Sequence, residues 1–139
     1  MAAADDTART EGSPVAVVVA AHGSRADAAN LAHRDLVAAL AERVGLLAVL
    51  PAFLELAEPS IPDAIDTAVT AGAREVLVLP YFLHPGRHLV EDLPAIVADA
   101  QDRHGGADVR LLGSFGADPA LVDLLAGQVR AGLGTATDR

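Results

Sequence analysis

VAVVVAAHGSR, residues 15–25, decides the fold. Its first seven residues, Val15–Ala21, form an unbroken apolar run rich in β-branched Val and bounded by Pro14 and Gly23. A run without polar alternation reads as a strand buried on both faces, as in the middle of a parallel sheet. Parallel neighbours need a long crossover, usually a helix. The chain supplies one at once: Asp27–Val44 carries Leu31, Val37, Leu40 and Val44 among charged residues and stops at Gly45, which is helical periodicity with a helix terminator.

The same pairing of strand and helix then repeats. Residues 46–54 predict a second strand, expected to be irregular around Pro51 because proline cannot donate to a ladder. Ser60 can cap a helix with Pro62 in its first turn, Ile61, Ile65, Ala68 and Val69 inward, and an end at Gly72. Residues 75–79 (EVLVL) predict a third strand closed by Pro80. A loop over 81–86 leads to a helix over 88–103 with Leu89, Leu93, Ile96 and Val97 inward, ended by Gly105 and Gly106. Residues 108–112 give a fourth strand and 118–133 a last helix. Four such units predict an α/β fold, a three-layer αβα sandwich around a four-stranded parallel sheet. By analogy with flavodoxin-like sheets the expected strand order is 2-1-3-4.

A chain of 139 residues suits one domain. We expect a disordered tail over 1–14, one domain over 15–134 and a flexible end over 135–139. The first 14 residues carry Asp5, Asp6 and Glu11 and no apolar stretch, unlike a signal peptide. No run reaches the ~18 apolar residues of a membrane span, so a soluble cytoplasmic protein without a membrane partner is expected.

With no cysteine, disulfides and thiolate metal sites are excluded, leaving imidazole and carboxylate for any metal chemistry. The net charge is −9 and all ten basic residues are Arg. There is no basic stripe of the kind nucleic acid selects. Without Lys there can be no Walker A loop, and no GxGxxG is present, so no nucleotide cofactor is expected.

Ligands of open α/β sheets bind beyond the carboxyl ends of the strands where strand order reverses, here between the first and third strands. The first strand ends in Ala21-His22-Gly23-Ser24-Arg25, the second in Phe53-Leu54-Glu55-Leu56, and the third runs through Tyr81-Phe82-Leu83-His84-Pro85-Gly86-Arg87-His88. His22 and His88 are thereby expected to face each other across the switch point with Glu55 beside them. Two imidazoles and a carboxylate suit Fe²⁺, Co²⁺, Ni²⁺ or Zn²⁺ and leave coordination positions open. Each residue also has an ordinary explanation. His22 can be a loop residue, Glu55 can point to solvent from an edge strand, and Arg25 and Arg87 can be surface charges. Pro85 and Gly86 argue against His84 and His88 forming an i,i+4 metal motif on one helix. His33, next to Arg34, is expected at the surface, and His104 at a helix C-terminus, where it complements the dipole.

The blocks AHGSR, FLELAEPSIPDAI and VLPYFLHPGRHLVEDLP closely resemble the small CbiX/SirB group of class II chelatases. The similarity runs from about Val15 into the last helix. The resemblance implies insertion of a divalent metal into sirohydrochlorin or a related tetrapyrrole without nucleotide hydrolysis. It maps the family's metal-binding histidines onto His22 and His88 and its acidic residue onto Glu55. It also implies that a chain of this length is half of a two-part chelatase and works as a homodimer. The metal, on this reading, is a substrate: Co²⁺, Fe²⁺ or Ni²⁺. The His-rich insertion of nickel-handling relatives is absent, which disfavours nickel.

Insertion must remove two pyrrole N–H protons and dehydrate the ion. Imidazole can both ligate metal and accept a proton near neutral pH. His22 and His88 are expected to hold the ion, with Glu55 or the free imidazole as proton acceptor. Leu54, Leu56, Tyr81, Phe82 and Leu83 are expected as apolar walls for the ring. Ser24, Arg25 and Arg87, with the backbone amides near the helix start, are expected to meet its carboxylates. Two other readings use the same residues. A non-catalytic metal or tetrapyrrole carrier needs the same ligands, and a phosphoryl-transfer enzyme could use His22 as nucleophile, although Ala21 stands where histidine phosphatases place Arg.

Overall fold

The computed structural model describes residues 14–84 and 86–137, and its described side chains exclude those of His88 and of residues 135–137. The expected tail over 1–14 therefore lies outside the described residues except for Pro14.

Among the described residues four strands and four helices alternate: β1 (Val15–Ala21), α1 (Asp27–Val44), β2 (Ala48–Phe53), α2 (Ile61–Thr70), β3 (Glu75–Pro80), α3 (Arg87–Arg103), β4 (Asp108–Leu111) and α4 (Pro119–Thr137). A short 3-10 turn, Phe115–Ala117, precedes α4. All pairings are parallel and the order is β2-β1-β3-β4. β1 is central and is buried over its first six residues, as its unbroken apolar run requires. Pro51 does not disturb β2. It pairs with Val19 inside a regular ladder, because β2 is an edge strand and the missing N–H takes nothing from a neighbour.

Two cores flank the sheet. Beneath α2 and α3, Val18, Val76, Val78 and Val109 meet Ile61, Ile65, Leu93 and Val97. Beneath α1, the core is smaller and centres on Val17, Val19 and Val37. Ser60 caps α2 as expected, its Oγ accepting from the amide of Asp63 at 3.2 Å. Gly45, in the left-handed region at φ 58°, ends α1.

The inward face of α1 departs from expectation. Leu31 and Val44 are exposed, and the buried positions are Asn30, His33 and Val37, with Leu40 partly buried. The true stripe, 30-33-37-40, includes two polar residues, which an apolar count passes over. α4 continues to Thr137, past the expected domain end at 134, and every described residue on it except Leu121 and Ala126 is exposed.

Polar clusters tie the edges. Glu75, mostly buried on β3, is paired with Arg110 of β4. At the C-terminus of α3, His104 Nε2 donates to Asp66 Oδ1 of α2 at 2.6 Å and Arg103 donates to the same oxygen at 2.9 Å. These bonds, His104 first and Arg103 second, hold Asp66 below its ordinary value of 3.8. A carboxyl with a depressed folded-state pKa stabilises above its unfolded value and loses that contribution as pH falls through the folded one. Asp66→Asn is expected to lower Tm at neutral pH. The gap from the parent chain should narrow below pH 3.8, as followed by circular dichroism melts between pH 3 and 7.

Candidate metal and ligand site at the sheet switch point

The ladder between β1 and β2 does not stop where the strands end. Leu54 donates its N–H to Ala21 O at 2.8 Å, and Glu55 donates to His22 O at 3.1 Å. Parallel pairing thus carries on for two further residues and brings His22 and Glu55 alongside. Gly23 then lies so close to β2 that a Cβ on it would sit 1.7 Å from Glu55 O, and its φ is +96°. Both facts demand glycine. Leu56 follows with φ 66°, turning the chain away immediately after Glu55.

The loop bearing Glu55 is anchored from α1. The Arg34 guanidinium stacks 5.0 Å from the centroid of the Phe53 ring and donates to Glu58 O, while Phe53 N–H donates to Pro59 O at 2.9 Å. Sequence reading gave Arg34 no role; only the fold brings it over Phe53.

His22 Nε2 and Glu55 Oε1 are 4.0 Å apart, with side chains 57% and 51% exposed. That separation is too long for a hydrogen bond. Two metal–ligand bonds of ~2.0–2.2 Å together span about 4.2 Å, so one ion can bridge these atoms, and half-exposed side chains can close further on it. Among the described residues no three His, Asp or Glu side chains gather as a metal-sized group. The third expected ligand, His88, is the second residue of α3, and its side chain lies outside the described residues. His84 precedes Gly86, the N-cap of α3, so His84 and His88 do not share a helix.

The remaining expected residues divide by burial. Tyr81 is 43% exposed at the end of β3, and Leu83 is exposed beside it. Phe82, expected as a wall of the site, is 8% exposed and belongs to the core under α2 and α3. Leu54 is partly buried against that same core, whereas Leu56 is exposed. Arg25 is exposed. Arg87 is 94% exposed and 3.9 Å from Glu91, a loose surface pair worth little. Ser24 is committed to its own loop: its N–H donates to Asn30 Oδ1, its carbonyl accepts from Asn30 Nδ2, and its Oγ accepts from Ala26 N. The Ser24 amide, expected to meet an anion, is therefore already used, which also weakens the phosphoryl-transfer reading.

His33 corrects the sequence reading. It is 6% exposed, with Nε2–H donating to Val19 O at 2.9 Å. Its ring lies against Phe53 and Tyr81, at centroid distances of 5.3 and 5.5 Å, while Nδ1 is buried with no hydrogen-bond partner. The imidazole thus braces the ends of all three strands that meet at the switch point. The missed signal was its spacing with Asn30 and Val37, which puts it on the inward stripe. A hollow of about 310 Å³ bordered by Gly23, Ser24, His33 and Tyr81 opens here. It adjoins a more apolar trough of about 540 Å³ through Leu36 and Tyr81, walled by Leu83, Phe115, Leu121 and Leu124.

The family model CbiX matches residues 16–131. A chloroplastic sirohydrochlorin ferrochelatase of Arabidopsis thaliana is 38% identical over 109 residues, covering 78% of this chain and 48% of that protein. A sirohydrochlorin cobaltochelatase of Methanocaldococcus jannaschii is 33% identical over 93 residues, covering 64% and 62% respectively. The chain thus spans about half to three-fifths of these relatives. The crystal structure of a cobalamin-biosynthesis CbiX protein from Marinobacter aquaeolei superposes with a TM-score of 0.77 at 30% identity, over 88% of this chain and 99% of that one. The sirohydrochlorin chelatase SirB of Bacillus subtilis, solved with cobalt, has the same fold, with a TM-score of 0.77 at 24% identity over 85% of this chain and 50% of that one.

Gly23→Ala should be expensive, since it forces a β-carbon into a carbonyl at positive φ. We expect a loss of more than ~2 kcal/mol in a urea melt, and weaker Co²⁺ binding by titration calorimetry in the fraction that still folds. Gly45→Ala serves as the control: it has positive φ but nothing near its Cβ, and should leave metal binding intact.

Proposed function

The chain belongs to the CbiX family, and from that membership we propose that it inserts Co²⁺ or Fe²⁺ into sirohydrochlorin without nucleotide hydrolysis. The observation that carries the proposal is the pairing of His22 with Glu55, 4.0 Å apart and open to solvent at the switch point of the sheet. Imidazole and carboxylate are ligands a hydrated divalent ion accepts without thiolate, and nickel fits the same donors. The proposal makes the chain an enzyme of the chelatase lyase class, acting in the cytoplasm as a pair of identical chains. Among the described residues no helix is long and apolar enough to cross a membrane.

The two ring nitrogens that carry protons must give them up as the metal binds. His22 Nε2 is assigned to hold the ion, with His88 as the second imidazole from the start of α3. Glu55 is assigned as the proton acceptor, since its carboxylate lies beside His22 on the adjoining strand end. The anchors on its loop, Gly23, Arg34 and the Phe53–Pro59 bond, keep it there when solvent is displaced. Positioning of this sort contributes because misplacement of a reacting group by ~1 Å can cost about 10²-fold in rate.

The flat, apolar ring has a matching surface in the trough beside Tyr81, Leu83 and Phe115. Phe82 acts from the core rather than by touching the ring: its carbonyl accepts from Ser114 Oγ at 3.0 Å, joining the β3 end to the segment that carries Phe115. Arg25 and Arg87, exposed and at most loosely paired, are assigned to the carboxylates of the macrocycle.

The test is metal insertion into sirohydrochlorin followed by the absorbance of the macrocycle. His22→Ala and His88→Ala should each fall to the spontaneous rate with an unchanged circular dichroism spectrum. Glu55→Gln should slow insertion by roughly 10²-fold or more, the usual range for loss of a general base. Near-parental rates in the histidine variants would overturn the assignment. Turnover that stops at one equivalent per chain would make the protein a carrier.

A further inference from the structure

The connection that follows β4 returns to the switch point and lies against the end of β3. There Ser114, Phe115 and Gly116 meet Phe82, Tyr81 and Leu83, three neighbours of the other segment. The Phe115 ring lies against the Tyr81 ring, with centroids 5.3 Å apart. The Ser114 hydroxyl donates to Phe82 O at 3.0 Å, and its oxygen accepts the N–H of Gly116 at 3.5 Å, so one group joins the strand end to the turn. Gly116 sits directly on Leu83: a Cβ on it would stand 2.1 Å from Leu83 O and 3.1 Å from Leu83 C. Its φ lies outside the left-handed region, so, unlike Gly23, it is required for lack of room alone. The obstructing atoms are backbone, and no side chain can swing aside to admit a methyl group.

Among the described glycines, Gly23 and Gly116 alone have any non-adjacent atom within 4 Å of an added Cβ. Gly23 presses on the carbonyl of Glu55, and Gly116 presses on the segment that leads to His88. From Leu83 the chain reaches Gly86, the N-cap of α3, and His88 is the second residue of that helix. Leu89 and Leu93 seat α3 on the core, but Gly86 has no side chain with which to fix the first turn. The start of the helix is therefore held from the strand side.

We propose that Ser114 and Gly116 are positioning residues for metal insertion: by fixing Phe82 and Leu83 they set where α3 begins, and so where His88 stands relative to His22. The inference rests on the reading of His88 as the second imidazole. An added methyl group at 116 pushes Leu83 away, because Ser114 and Phe115 tie the turn to the residues just before it, and the start of α3 moves with Leu83. The pair His22 and Glu55 is built on β1 and β2 and stays in place. The defect is the loss of one imidazole, not of the whole site.

The test is a double-mutant cycle, read by calorimetric titration with Co²⁺ carried into the millimolar range. His88→Ala, Gly116→Ala and the two together are compared with the parent chain, each checked by circular dichroism. Gly116→Ala should weaken Co²⁺ binding roughly 10-fold to 100-fold, the usual loss when the support of a metal ligand is removed. It should add nothing in a chain that already lacks the His88 imidazole, whereas independent sites would give losses that multiply. Parental Co²⁺ affinity in Gly116→Ala, or losses that multiply, overturns the positioning role and leaves His88 as a ligand. Parental affinity in His88→Ala overturns the reading of His88 itself, and this inference with it. Gly113→Ala, with nothing near its Cβ, should bind as the parent does; an equal loss there assigns the effect to the connection as a whole and overturns the proposal. If Gly116→Ala does not fold, Ser114→Ala enters the same cycle, since it frees Phe82 O without crowding. Its several-fold loss should vanish in the His88→Ala chain, and a loss that persists there overturns the proposal.

Discussion

At the end of β1, the backbone of Gly23 meets the carbonyl of Glu55 at a distance that no other residue tolerates. That contact prolongs the parallel ladder past the ordinary end of β2 and places a histidine and a glutamate side by side. Everything polar nearby is arranged around it. Asn30 closes the Ser24 loop from α1, Arg34 holds the carbonyl of Glu58 on the far side, and His33 fills the space beneath. A glycine with a positive φ and no room for a β-carbon is a stricter condition than any single hydrophobic contact in the core, because a core can relax around a lost methylene and two backbones cannot pass through each other.

The fold was legible because its signals were of the strongest kind. An unbroken β-branched run marks a central strand, and regular strand–helix alternation admits few topologies. The failures have one cause. Periodicity read from apolar residues alone assigned Leu31 and Val44 inward on α1, whereas the buried stripe includes Asn30 and His33. Both are buried because each finds a backbone partner, in the Ser24 loop and at Val19. Satisfied polar burial of this type cannot be seen without the third dimension. Pro51 was misjudged for a related reason: the cost of a proline depends on whether its strand lies at an edge, which is a property of the whole sheet.

At the site, residue types put His22 and Glu55 at neighbouring strand ends, and the two do come together there, but they did not tell which neighbours remain available. Phe82 lies between the exposed Tyr81 and Leu83, and alternation at the end of β3 turns its ring into the core. The Ser24 amide looked like an anion donor until Asn30 was found on it. A metal-holding role for His88 is a proposal that rests on the resemblance.

The last helix shows a limit of a different nature. Apolar periodicity predicts that a face will be covered, but says nothing about the molecule that covers it. Residues 118–133 read as an ordinary outer helix of a sandwich, and the pattern fits that equally well. In the structure every described residue of α4 except Leu121 and Ala126 is exposed, which the apolar pattern alone does not predict. A chain of this size has little apolar surface to spare.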